Sequence, residues 1–203
     1  AVQFQGIEAR LASYLLDPVG GIDRLVSTLL DDGYRVVGPG VRDDAIVYGD
    51  VTCGDDLPTG VTVEQSAGRW RLHHDGRPTR FGWTPGADSW KRFVFPQRQE
   101  VLRIRRVDGS FAVTRPAPPP QPLALIAARD CELRALEVLD EVLLDQDHPD
   151  PRYAEHRAGT FVVAVTCGTP SATCWCTSMG GGPRPRAAHD VLLTEVLDGG
   201  HRL

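Results

Sequence analysis

The stretch Arg115-Pro-Ala-Pro-Pro-Pro-Gln-Pro122 constrains this chain most. Proline has no backbone N–H and a locked φ, so five of them in eight residues can join neither a sheet ladder nor a helix interior. The segment reads as a stiff, polyproline-like connector. It divides the sequence into residues 1–114, a linker at 115–122 and residues 123–203. It is also the only low-complexity segment, and no internal repeat is present.

Ahead of the linker, apolar residues at Ile7, Leu11 and Leu15, and again at Ile22, Leu25, Val26, Leu29 and Leu30, have helical spacing, broken by Asp17-Pro-Val-Gly-Gly21. Two short helices are expected there. From Tyr34 the pattern turns to short β-like runs separated by Gly, Pro and Asp: Tyr34–Val37, Ala45–Tyr48, Val61–Glu64, Trp70–Leu72 and Val101–Ile104. These predict a small β-rich layer. Behind the linker, the apolar run Leu123–Ala127, the helical stretch Cys131–Leu144 and the run Phe161–Val165 predict a βαβ unit. Arg152–Arg157 adds a short helical turn and Asp190–Val196 a third strand. The expected class is mixed, α+β or α/β, with a β-rich N-terminal layer and a small βαβ unit.

A net charge of -5 supplies no basic field for nucleic acid or an anionic membrane surface. No apolar run approaches the roughly 20 residues of a membrane span, and the start lacks a secretory pattern. The chain reads as cytoplasmic. It lacks an initiator Met and stops abruptly at Leu203, as a piece of a longer protein would.

Of five cysteines, four lie between residues 131 and 176. In a βαβ unit the parallel strands end on one edge of the sheet, where open α/β proteins gather functional groups. Cys131 follows the first strand and Cys167 the second, and the loop Gly168–Cys176 can bring Cys174 and Cys176 to the same point. A helix start lowers a thiol's pKa, and Arg129 and Arg134 stand beside it. The glycines of Ser178-Met-Gly-Gly-Gly-Pro183 can offer backbone N–H groups to sulfur. Spacing alone leaves an iron–sulfur cluster, a structural zinc and plain buried cysteines open. Cys174-Trp-Cys176 is tighter than a zinc knuckle, and the ferredoxin C-x2-C-x2-C run is absent.

Four segments carry a resemblance: Gly33-Tyr-Arg-Val-Val-Gly-Pro-Gly-Val-Arg-Asp-Asp-Ala-Ile-Val-Tyr48, Asp88-Ser-Trp-Lys-Arg-Phe-Val-Phe-Pro-Gln97, Ala128-Arg-Asp-Cys-Glu-Leu-Arg-Ala-Leu136 and Thr173-Cys-Trp-Cys-Thr-Ser-Met-Gly180. Together they resemble the iron–sulfur β subunit of cytoplasmic NiFe sulfhydrogenases and the related iron–sulfur subunit of anaerobic sulfite reductase. The resemblance implies one [4Fe-4S] cluster ligated by Cys131, Cys167, Cys174 and Cys176, with Trp175 where relatives commonly have Phe. It implies a relay between a flavin subunit using NAD(P)H and a NiFe hydrogenase subunit, or the catalytic subunit of a sulfite reductase. The family's C-terminal dicluster ferredoxin domain has no counterpart here, because no C-x2-C-x2-C-x3-C-P motif occurs. Four cysteine ligands leave no open iron, so no catalytic residue is expected in this chain. A zinc-stabilised, non-redox assembly module is the alternative.

Other residues have plainer readings. Cys53 is expected to be an ordinary, partly buried thiol. His73 and His74, adjacent on a strand, point to opposite faces and read as solvated. Asp130 and Glu132 are expected to tune a neighbouring cluster or face solvent. Trp70, Trp83, Trp90, Phe93 and Phe95 read as core or subunit-contact residues, with an interface role open for Trp90–Phe95.

Overall fold

A computed structural model of the protein describes residues 13–17, 20–115 and 121–197. The expected helix around Ile7–Leu11 and linker residues 116–120 lie outside them, and residues 13–17 form no helix. The expected mixed α and β content is present. Strands β1 (Arg35–Arg42), β2 (Ala45–Asp50), β7 (Leu123–Ala128), β8 (Phe161–Val165) and β9 (Val191–Leu193) form one five-stranded sheet of order β2-β1-β7-β8-β9. Two hairpins stand beside it, β3–β4 (Val61–Ser66, Arg69–His74) and β5–β6 (Arg103–Val107, Ser110–Thr114). β1, β7, β8 and β9 run parallel to one another, and β2 is an antiparallel edge. The sheet therefore continues across the Pro-rich segment, with Val37 beside Leu125. β1 and β2 belong to the same sheet as the βαβ unit and form no layer apart.

Local chemistry explains how Gly38-Pro39-Gly40 fits a strand. β7 pairs with β1 only at Arg35–Val37, so Pro39 lies past the point where a donor toward β7 is needed. Its partner on β2 is Tyr48, whose N–H donates to Asp88 (2.9 Å) and whose carbonyl accepts from Arg92. Asp88 and Arg92, an ion pair at 3.1 Å, thus satisfy backbone groups of the edge strand. The β1–β2 turn uses Asp43 and Asp44 at φ 51° and 56°, as a two-residue hairpin requires.

Both faces of the sheet are covered. α1 (Gly21–Asp31) buries Ile22, Val26 and Leu29 against Val36, Ile46, Ile126 and Val163. Gly33 at φ 85° ends it, with Gly33 N bonding Leu30 O and Tyr34 N bonding Leu29 O, which turns the chain into β1. On the other face, α3 (Asp130–Leu143) and α4 (Pro151–Arg157) place Leu133, Leu136 and Tyr153 against Val37, Leu125, Val162 and Ala164. α2 (Lys91–Val94) joins that core through Trp90 and Val94. Trp90 and Trp83 are fully buried, so the aromatic run before the linker is anchored in the core. Among the described residues, no helix is long and apolar enough to cross a membrane.

The hairpin β3–β4 packs Val63, Trp70 and Leu72 on the α1-side core, whereas β5–β6 is exposed along its whole length. Tight packing near β1 sets one expectation. A Cβ on Gly38 would lie 2.6 Å from Ile126 Cγ2 and 2.8 Å from Val51 Cγ2. Gly38→Ala should therefore lower stability by about 1–3 kcal/mol in a urea titration.

Candidate metal centre

β7 brings the chain to the edge with a bulge between Ile126 and Ala128, where Ala127 takes φ 67°. Such bulges re-aim the chain. α3 begins directly afterwards, so Cys131 stands in its first turn, and Cys167 follows β8 by two residues. Cys174 precedes a 3₁₀ turn, Cys176–Met179, that starts on Cys176. All five cysteines are free thiols.

Of the four predicted thiols, Cys167 and Cys176 lie near enough to Cys131 to bear on its ionisation. Cys131 is pushed up to about 11, first by desolvation, then by the Glu132 carboxylate, while the Arg129 guanidinium pulls the other way; Cys167 and Cys176 add to the rise. Cys131 is exposed as a residue, yet enough protein surrounds its sulfur for desolvation to lead. The lowering expected from a helix start is outweighed by that desolvation and by Glu132. Cys174, in the same loop, is exposed, and its sulfur accepts from Ser171 N at 3.1 Å. Cys167 N bonds Pro183 O at 2.7 Å, closing the loop at its base.

Asp130, which the sequence did not mark as structural, organises this loop. It is 1% exposed. Its carboxylate accepts from Gly182 N (3.1 Å), Arg186 N (2.9 Å) and Arg134 Nε (3.2 Å), and Arg134 also donates to Gly180 O (2.9 Å). Burial alone would raise its carboxyl, but the bonds from Arg186, Gly182 and Arg134 prevail and hold it below the ordinary value. Gly181 is needed for this approach, since a Cβ there would come 2.3 Å from Asp130 Oδ2. The glycine N–H groups are accordingly committed within the protein: Gly180 to Thr177 O, Gly181 to Cys176 O and Gly182 to Asp130. The backbone donor to sulfur is Ser171 instead.

Behind the thiols lies a polar core. Arg129 is buried with its guanidinium 3.8 Å from the centre of the Trp83 ring, and it donates to the Trp83 and Phe81 carbonyls. Glu132 accepts from Arg129 N (3.0 Å) and from the Tyr48 hydroxyl. Burial raises the Glu132 carboxyl, against the opposing pull of Arg129 and these hydrogen bonds. Asp130 and Glu132 therefore serve the interior. Cys53 lies elsewhere, exposed ahead of a 3₁₀ turn, where its N–H donates to Asp56 (3.2 Å). The expectation of partial burial fails for it because the short turn keeps its side chain outside the core. His73 pairs with Glu64 at 3.1 Å, and both histidines are exposed.

Among the described residues, no three His, Cys, Asp or Glu side chains are grouped to hold a single metal ion. A [4Fe-4S] cluster asks for a different donor set, one thiolate on each of four irons, so its ligands stand farther apart than those of one ion. Thiols from α3, the end of β8 and the following loop suit that demand in kind. No family model matches the chain, and no solved structure matches it.

Proposed function

We propose that this chain is a cytoplasmic electron-transfer subunit that holds one [4Fe-4S] cluster through Cys131, Cys167, Cys174 and Cys176. The observation that supports it is that the ends of β7 and β8 and the loop after β8 bring Cys167 and Cys176 near enough to Cys131 to bear on its ionisation, with Cys174 in the same loop. When bound, the cluster supplies one-electron transfer. The protein's own part is to hold the thiols on a rigid strand–helix edge and to fix the loop through Asp130. Arg129 adds a buried positive charge that favours thiolate at Cys131.

The partners proposed are a flavin subunit oxidising NAD(P)H and a NiFe hydrogenase catalytic subunit; the alternative to the latter is the catalytic subunit of a sulfite reductase. Trp175 and Met179, 66% and 59% exposed beside the thiols, are apolar surface that a docked neighbour would cover. Two measurements test the proposal. Protein purified or reconstituted without oxygen should be brown and contain about four iron and four acid-labile sulfide per chain. Stoichiometric zinc without sulfide would overturn it in favour of the assembly module. Identification of co-purifying subunits then separates hydrogen from sulfite chemistry.

A further inference from the structure

The hairpin β5–β6 has an apolar side with nothing against it. Its register sets Ile104 opposite Val113 and Arg106 opposite Phe111. Residues directly opposite share a face, and the pairs between them point the other way. Ile104, Val113, Phe111 and Arg106 therefore stand on one face, with Arg103 and Arg105 on the other. The three apolar side chains of the first face are each more than half exposed. A two-stranded hairpin by itself is marginal in water, and a further strand or a helix against its apolar face is what stabilises it. Every residue of both strands is exposed, so no described element of the chain supplies that cover.

A helix face of matching character is also uncovered. The second half of α3 repeats Glu137-Val138 as Glu141-Val142, four residues on. Positions i and i+4 lie on one side of a helix, so the valines form one row and the glutamates a second row beside it. Both valines are more than half exposed, and both glutamates are exposed. Members of a row are ~6 Å apart at ~1.5 Å per residue. Ile104 and Arg106, ~6.6 Å apart along their strand, have nearly the same interval.

Charge selects the occupant. Residues 103–114 hold Arg103, Arg105 and Arg106 against Asp108, in a chain of net charge -5, so the rest of the chain is more acidic than the whole. Arg106, Glu137 and Glu141 make no side-chain hydrogen bond or ion pair among the described residues. One chain thus carries an apolar face with an unengaged cation and an apolar row with unengaged anions. We propose that it forms a closed, two-fold homodimer in which β5–β6 of each copy lies on α3 of the other. Ile104, Phe111 and Val113 then cover Val138 and Val142, and Arg106 stands beside Glu137 and Glu141. Two-fold pairing uses each surface once per copy and leaves neither open. The proposal is independent of the cluster and of every cysteine.

Sedimentation equilibrium of the full chain tests it, with a reducing agent present so that disulfide-linked pairs are not counted. The protein should reach twice the 22.2 kDa of one copy, with a dissociation constant in the micromolar range. Phe111→Ser, Val138→Glu and Arg106→Glu should each weaken the pair by roughly tenfold or more. All three residues are exposed in the single copy, so the circular dichroism of the variants should match the parent's. Arg106→Glu combined with Glu137→Arg and Glu141→Arg should return the affinity to within roughly threefold of the parent's, because opposite charges meet again. A parent chain that stays at the mass of one copy up to millimolar concentration would overturn the proposal, whether its hairpin is bare, folded onto its own α3 or covered by another protein. A mass that keeps rising past two copies, a dimer that Phe111→Ser or Val138→Glu leaves intact, or failure of the triple variant to recover would each overturn it as well.

Discussion

Asp130→Ala should loosen the thiol edge and lower global stability by about 2–4 kcal/mol, because two backbone donors lose their acceptor in a buried setting. Those donors are Gly182 N and Arg186 N, and Arg134 loses its carboxylate partner at the same time. For a chain of this size the melting temperature should fall by about 5–15 °C. Asp130→Asn keeps an acceptor without the charge and should fall between the two. A melt of Asp130→Ala equal to that of the parent protein would refute the anchoring role. The pH dependence has a defined sign. The Asp130 carboxyl titrates lower in the folded chain than in the unfolded one. Its contribution is therefore full above the unfolded value of about 3.9 and is lost as pH falls through the folded value. If the cluster proposal holds, Asp130→Ala should also retain less iron, since the loop that bears Cys174 and Cys176 is no longer tied to α3.

The cysteine series should give the largest effect on metal content. Cys131→Ser, Cys167→Ser, Cys174→Ser and Cys176→Ser are each expected to lose the cluster or convert it to a species with less than about four iron. Folded yield should fall with it, because metal–ligand bonds contribute to folding where a loop has little core. The loop qualifies: the residues Cys174 to Gly181 include no buried side chain. Cys53→Ser is the internal control, as its thiol is exposed and lies on a turn held by Asp56. Iron and sulfide assays on all five variants decide the matter, and cluster loss in Cys53→Ser equal to the others would discard the ligand set.

Elements whose signals are local were legible in the sequence. Leu123–Ala128 is buried at every position, as a central parallel strand is, and its unbroken apolar run announces this. The amphipathic stretch after it forms α3 within one residue of the expected bounds, and Phe161–Val165 forms β8. The second strand of the β5–β6 hairpin was not anticipated, although Asp108 and Gly109, at φ 47° and 84°, make the Asp-Gly turn that marks such hairpins. Ser110-Phe-Ala-Val-Thr114 also alternates as a strand does, although all five of its residues are exposed.

Everything that depends on remote neighbours was decided by the tertiary structure. Gly38-Pro39-Gly40 argues against a strand until Asp88 and Arg92, about 40 residues away in sequence, satisfy the backbone of Tyr48. Arg129 and Asp130 look like surface charges flanking a cysteine, yet both are buried, one on Trp83 and the other by the loop it holds. From the sequence alone, the βαβ pattern set Cys131 and Cys167 after two parallel strands, whereas the full strand order, with β1 beside β7, came from long-range pairing. The ionisation of Cys131 was beyond the sequence, because desolvation and the charge on Glu132 act through space and depend on what folds around the sulfur.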